Sequence, residues 1–214
     1  MARHPNHQPN HGNLPERRSI RKKGYNYSKE GFYFVTLLCY ERRHFFGHIK
    51  NGIMCLNDFG AIVWEEWQKT AQIRPNIALG EFIVMPNHIH GIIQIEESVG
   101  QDQKERIGKF QSPSHTVGAI IRGCKGAVTR RIRAYIRQIE KEKTLQNEEP
   151  IKSDSETLSD IPTHISQVAL DKSIWHRDYW DIIIRDQNAL EIITNYIRNN
   201  PQKWSQDKFY STLP

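Results

Sequence analysis

The stretch Glu81–Ile95 (EFIVMPNHIHGIIQI) constrains the fold of this chain more than any other. Two apolar runs, 79–85 and 88–95, read as strands, and Pro86-Asn87 breaks them apart. Alternate side chains of a strand share a face, so His88 and His90 project together while Ile89 points into the core. Two imidazoles at that spacing can hold one cation from a rigid platform. Two surface histidines on a strand edge would be spaced the same way, and spacing alone leaves that choice open. Gly91 removes a side chain next to the pair and is expected to permit close approach of a ligand backbone.

The other elements fall around this pair of strands. Residues 32–40 (FYFVTLLCY) are β-branched and aromatic and read as a buried strand, and Asn51-Gly52 marks a hairpin turn within 49–56. Asp58 is placed to cap a helix running to about Thr70, with Ile62, Val63, Trp64 and Trp67 as its apolar side. Apolar residues from Val117 to Ile136 recur at helical spacing, so 114–138 reads as a helix capped by Ser114 or Thr116. Residues 174–185 suggest a final strand. Asp186 then opens a helix that Pro201 stops near Asn200. The order is strand, hairpin, helix, two strands, helix, strand, helix. It predicts an α+β, ferredoxin-like or RRM-like sandwich, an antiparallel sheet with helices on one face.

Residues 1–16 are polar, rich in Pro and His, and read as a disordered tail. A single domain is expected over 17–210, with polar insertions near 97–112 and 139–168 that should be loops. No run of about 18 apolar residues occurs, and three scattered cysteines without a C-x-x-C pair suggest reduced thiols. The expectation is a cytoplasmic, nucleoid-associated bacterial protein with no membrane partner.

Charge is segregated rather than merely positive. The formal net charge of +6 fits a polyanionic partner only weakly. Arg17, Arg18, Arg21, Lys22 and Lys23 crowd the N-terminal region, whereas Arg122, Lys125, Arg130, Arg131, Arg133 and Arg137 fall within one helix. The stretch 140–160 leans acidic. Basic faces separated from an acidic loop suit contact with phosphates.

Several kinds of chemistry lack their motifs. There is no H-E-x-x-H, and Glu81, Glu96 and Glu97 near the histidine strand do not single out a third ligand for a zinc hydrolase. Gly123-Cys124-Lys125-Gly126 is not a phosphate loop. In the last helix, Tyr196 and Asn200 stand one turn apart on one face. Ala189, Ile193 and Tyr196 also share a stripe, so by spacing alone Tyr196 is as well explained by packing at the core edge.

Taken in order, RRSIRKKGYNYSKEGFYFVT, LNDFGAIV, EFIVMPNHIHGIIQI, IWHRDYWDIIIR and YIRNNPQKW resemble the REP-associated tyrosine transposases, a branch of the single-tyrosine HUH transposases. The resemblance covers most of 17–95 and 115–204, and Ile89 fills the hydrophobic middle position of the HUH motif. It implies that His88 and His90 bind a divalent cation, Mg²⁺ or Mn²⁺. Asn200 would add an oxygen ligand, and Tyr196 would attack a DNA phosphodiester to leave a 5′-phosphotyrosine. A phenol has a pKa of about 10 and is a poor nucleophile unassisted, which is what the metal is for.

The substrate that the resemblance implies is single-stranded DNA folded as a hairpin, such as a REP element. Arg17, Arg18, Arg21, Lys22 and Lys23 are candidates for its phosphates and Tyr25 or Tyr27 for stacking on unpaired bases, with Lys125, Arg130 and Arg131 as a second surface. Trp175 and Trp180 are assigned to the core or its platform. A non-catalytic hairpin-binding protein derived from a transposase is the alternative, and whether the chain acts as monomer or homodimer is open.

Overall fold

A computed structural model describes residues 25–96, 116–147 and 173–212. The tail 1–16, the basic run Arg17–Lys23, the insertion 97–112, Ser114 and residues 148–168 lie outside the described residues.

Four strands form one antiparallel sheet in the order β4-β5-β1-β6. They are β1 (Gly31–Leu38), β4 (Ile77–Met85), β5 (His88–Ile95) and β6 (Trp180–Ile184). The expected hairpin forms a separate ribbon of β2 (Gly47–Lys50) and β3 (Ile53–Leu56). At its turn Asn51 and Gly52 have φ of 53° and 74°, the left-handed pair that a two-residue hairpin requires.

Two long helices cover one face of the sheet, as an α+β sandwich requires. Helix α1 (Asp58–Gln72) is capped by Asn57, whose Oδ1 accepts from the Gly60 amide at 3.0 Å. The cap is therefore one residue earlier than expected, and Asp58 occupies the first turn instead. Trp67 is fully buried, whereas Trp64 is 48% exposed and does not belong to the apolar side. Helix α2 (Val117–Asn147) begins where Thr116 Oγ1 accepts from the Ala119 amide at 3.2 Å.

Helix α2 also runs nine residues beyond the expected end at 138, so 139–147 is helix and not loop. The added segment carries two Lys, two Glu, one Leu and one Gln, strong helix formers, and Gln138 donates to Glu142 at 2.9 Å. Its polarity signalled a solvated face rather than the absence of structure.

The parity of β1 and β5 divides the sheet into two faces. Tyr33, Val35, Leu37, Ile89 and Ile93 join Val63, Trp67, Ile120, Val128 and Ile132 in the larger core. Phe34 and Ile92 point the other way, into a smaller cluster with Ile184 and Ile197. That second face receives helix α3 (Gln187–Asn199), capped by Asp186 as expected, its Oδ1 accepting from the Ala189 amide at 2.8 Å. Ala189, Leu190, Ile193 and Ile197 make the buried stripe of α3. Arg198 fastens the helix to β4 by an ion pair with Glu81 at 2.7 Å.

Candidate functional site

His88 and His90 lie on the α3 face of the sheet, beside Phe34 and Thr36 of β1. Both imidazoles are buried, and their ring centroids are 4.4 Å apart. Each ring is held by its Nδ1. Thr36 Oγ1 lies 2.9 Å from His90 Nδ1, and Asn87 Oδ1 lies 2.8 Å from His88 Nδ1. Asn87 Oδ1 can only accept, so His88 carries its proton on Nδ1 and turns the lone pair of Nε2 into the site. That Nε2 has no hydrogen-bond partner among the described residues.

Burial disfavours charge on both rings. It pushes the His88 imidazole down to about 3, with Lys208 adding a smaller effect. His90 is held well below its ordinary value by burial first and then by His88, against the opposing pull of Asp207. Neutral imidazoles are metal ligands without first losing a proton.

The last helix and the segment after it close over the pair. Tyr196 is one residue off the buried stripe of α3, 41% exposed, and its hydroxyl lies 3.1 Å from His90 Nε2. The same hydroxyl donates to Asp207 Oδ2 at 3.1 Å, and Asn200 Nδ2 donates to that oxygen at 3.1 Å. Asn200 Oδ1 is buried and has no partner among the described residues. Burial and the adjacent Asp207 raise the Tyr196 phenol above its ordinary value, so the ring stays protonated as it stands.

Asp207 is the residue that sequence reasoning missed. His88, His90 and Asp207 each offer a ligand atom, all within 4.8 Å of one another. Asp207 follows Pro201 and a 3-10 turn at Trp204–Gln206, so no periodicity ties it to α3. Its segment is docked by Asn87, whose Nδ2 donates to the Phe209 carbonyl at 2.9 Å and to the Arg42 carbonyl at 3.1 Å. The only sequence signal was Asn87 itself, within PNHIH.

The donor set fits a divalent cation. Two neutral imidazoles and the Asp207 carboxylate bring their ligand atoms together, Asn200 is tied to that carboxylate through its Nδ2, and the unpartnered His88 Nε2 and Asn200 Oδ1 would otherwise be buried at a cost.

Gly91 has a different purpose from the one expected. It follows His90, so it faces α1, and a Cβ there would sit 2.4 Å from Trp67 Cζ2. The missing side chain admits an indole of the core and leaves nothing open beside the histidines.

The residues named for DNA contact separate into groups. Tyr25 and Tyr27 pack edge-on at 5.0 Å and both lie against Tyr33, half-buried at the end of the main core. Lys125 donates to the His176 and Asp178 carbonyls at 2.9 and 3.0 Å, and burial lowers its ammonium to about 8. Arg131 pairs with Glu65 and Glu66 of α1 at 2.7 and 2.8 Å. Both are spent on internal contacts, because they flank the apolar stripe of α2. Arg130 is exposed. Trp175 is buried, 5.4 Å from Phe46, and Trp180 packs between His176 and Phe209, in line with a platform role.

Comparison with known proteins finds relatives both in sequence and in structure. A Haemophilus influenzae Rd protein described as uncharacterized is 36% identical over 203 residues, which cover 92% of this chain and 94% of the relative. The solved structure of a REP-associated tyrosine transposase bound to a REP hairpin superposes with a TM-score of 0.50 at 17% identity, covering 88% of this chain and 77% of that one. No family model matches the chain. No helix of the described residues is long and apolar enough to cross a membrane.

Proposed function

The chain belongs to one family with the Haemophilus influenzae protein and has the fold of a REP-associated tyrosine transposase, and we propose that it is a metal-dependent DNA strand transferase with Tyr196 as its nucleophile. The observation that carries this reading is the 3.1 Å approach of the Tyr196 hydroxyl to His90 Nε2, beside two buried histidines and the half-buried Asp207. A phenol that served packing alone would not bring its oxygen to the one free nitrogen of a metal-type histidine.

His88, His90 and Asp207 would hold the cation, with Asn200 Oδ1 as a further oxygen donor. Magnesium and manganese both suit such a set, and the two imidazoles favour manganese. When bound, the cation polarises a non-bridging phosphate oxygen and stabilises charge on the departing 3′ oxygen. Asp207 and Asn200 fix the direction of the Tyr196 hydroxyl through their shared hydrogen bonds. Thr36 and Asn87 keep the two imidazole Nε2 atoms turned toward the same point.

In the reaction the Tyr196 oxygen–phosphorus bond forms as the phosphorus–O3′ bond breaks, and the phenolic proton ends on the 3′ oxygen. The products are a 5′-phosphotyrosine and a free 3′-hydroxyl. Bond energy is kept in the covalent link, so rejoining to another end requires no nucleotide cofactor. The substrate is single-stranded or hairpin DNA of the REP kind, since the structural neighbour is bound to a REP hairpin. Arg17, Arg18, Arg21, Lys22 and Lys23 are the candidates for its phosphates. A single domain over 17–210 is part of the same proposal.

The test is an end-labelled hairpin oligonucleotide incubated with the protein and Mn²⁺ or Mg²⁺, then resolved under denaturing conditions. A covalent protein–DNA adduct is expected, lost in Tyr196→Phe while DNA binding persists. Cutting without an adduct in Tyr196→Phe would make the protein a water-using nuclease. Binding without cutting by the unmodified protein would make it the non-catalytic hairpin binder.

A further inference from the structure

Arg122, Arg130, Arg137 and Lys141, all exposed, lie along one side of α2. At 100° per residue they fall within an arc centred opposite Val128 and Ile132, the residues α2 buries. That side points away from the sheet, and α1 and α2 sit on the face opposite His88 and His90. At a rise of about 1.5 Å per residue, the row from Arg122 to Lys141 is roughly 28 Å long.

Two observations distinguish this row from an ordinary solvated face. Among the described residues none of these four cations forms an ion pair, although Glu65 and Glu66 on the neighbouring α1 both pair with Arg131. Those two α1 carboxylates are taken by Arg131, and Glu66 by Lys69 as well. The outer surface of α2 also carries two glycines that arginine covers. A Cβ at Gly123 would lie 2.8 Å from Arg74 Nη2, and one at Gly126 would lie 3.4 Å from Arg130 Nη1. Glycine inside a helix is disfavoured against alanine, so an arginine side chain lying close over the backbone there is a feature with a cost.

We propose that this row of cations is a docking surface for the phosphate backbone of duplex DNA, separate from the strand that reaches Tyr196. Charge complementarity selects phosphate. The absence of any exposed aromatic side chain among the described residues of α2 selects paired DNA over unpaired, because unpaired bases are held by stacking. Contacts of this kind carry no sequence information, so the surface would anchor the paired arm of a substrate, or its flanking duplex, while the opposite face handles a single strand. The inference rests on the strand-transferase reading for its biological sense, but its physical content does not need the chemistry.

The experiment uses the full chain carrying Tyr196→Phe, so that no cleavage intervenes. Its probe is a fluorescent blunt-ended duplex without unpaired bases, titrated across a series of salt concentrations. Replacing Arg122, Arg130 and Arg137 together by Ala is expected to weaken duplex binding at least tenfold. The slope of log K against log salt should flatten by about two to three, near one for each phosphate that the variant can no longer neutralise. The melting temperature and Mn²⁺ affinity should stay as they were. A control triple, Lys50→Ala, Lys69→Ala and Arg185→Ala, removes the same net charge elsewhere and should change binding by less than threefold. No duplex binding by the parent chain, or equal weakening in both triples, would overturn the proposal. Duplex binding that depends on the row in a protein that never forms a DNA adduct would sustain this inference and defeat the strand-transferase reading.

Discussion

The Tyr196 hydroxyl lies 3.1 Å from Nε2 of His90, a residue 106 positions earlier in the chain. A phenol from the last helix thus meets an imidazole from a central strand at the atom the imidazole would use for a metal. Asp207 completes the arrangement by accepting from the same hydroxyl at 3.1 Å.

Among the described residues, Asp207 is the only carboxylate that lies with His88 and His90. Asp207→Ala should raise the Mn²⁺ dissociation constant at least about tenfold and abolish adduct formation, with the fold retained by circular dichroism. Isothermal titration with Mn²⁺ decides the matter. An unchanged affinity would remove Asp207 from the ligand set.

Asn87 acts one step further out. It holds the His88 ring through Nδ1 at 2.8 Å and docks the Asp207 segment through the Phe209 carbonyl at 2.9 Å. Asn87→Ala should weaken Mn²⁺ binding by about 10- to 100-fold, the usual range for removing a partner behind a metal ligand. Thr36→Val, which keeps shape and removes the hydroxyl facing His90, should do the same more mildly. If both variants bind Mn²⁺ like the parent, the rings are held by packing alone.

The buried imidazoles predict a pH dependence for the metal-free protein. Burial lowers His88 from its ordinary 6.5 to about 3 in the folded state. Between those values the unfolded chain takes up a proton that the folded chain refuses. Stability is therefore complete above pH 6.5 and falls as pH drops toward 3, by about 1.4 kcal/mol per pH unit for this histidine. His90 is shifted in the same direction and steepens the fall. Urea unfolding in chelator at a series of pH values from 7 to about 4 measures it, and His88→Gln should flatten the profile. A flat profile in the parent would show that water reaches the rings.

Gly91 should prove structural. Gly91→Ala puts a methyl 2.4 Å from the Trp67 indole, which is itself stacked on Phe82 at 4.9 Å between ring centroids. A cost of about 1–3 kcal/mol is expected, seen as a lower thermal midpoint. Mn²⁺ affinity at temperatures where the protein is folded should be preserved. The opposite pattern, normal stability with weakened metal binding, would return Gly91 to the site.

The sandwich was legible because its signals are local. The β-branched and aromatic run of β1, the apolar run of β5, Asn51-Gly52 at the hairpin and Asp186 at the start of α3 each act within a few residues. The misreadings occurred where a local signal has two physical meanings. Residues 139–147 are polar because they are a solvated helix, Trp64 sits at an apolar position yet faces water, and Lys125 is a cation whose partners are backbone carbonyls about 50 residues away.

His88 and His90 were readable as a pair, since alternation along one strand is enough to put two side chains on one face. Tyr196 and Asn200 were readable as neighbours for the same kind of reason, one helical turn. What joins the two pairs is the choice of α3 to pack on the sheet face opposite α1 and α2. That choice depends on the complementary fit of Ala189, Leu190, Ile193 and Ile197 against Phe34, Ile92 and Ile184, a property of assembled surfaces that no single segment carries. Asp207 belongs wholly to that level. It enters the site because a short turn after Pro201 carries the chain back to Asn87, and only the folded backbone brings those carbonyls within reach of that amide.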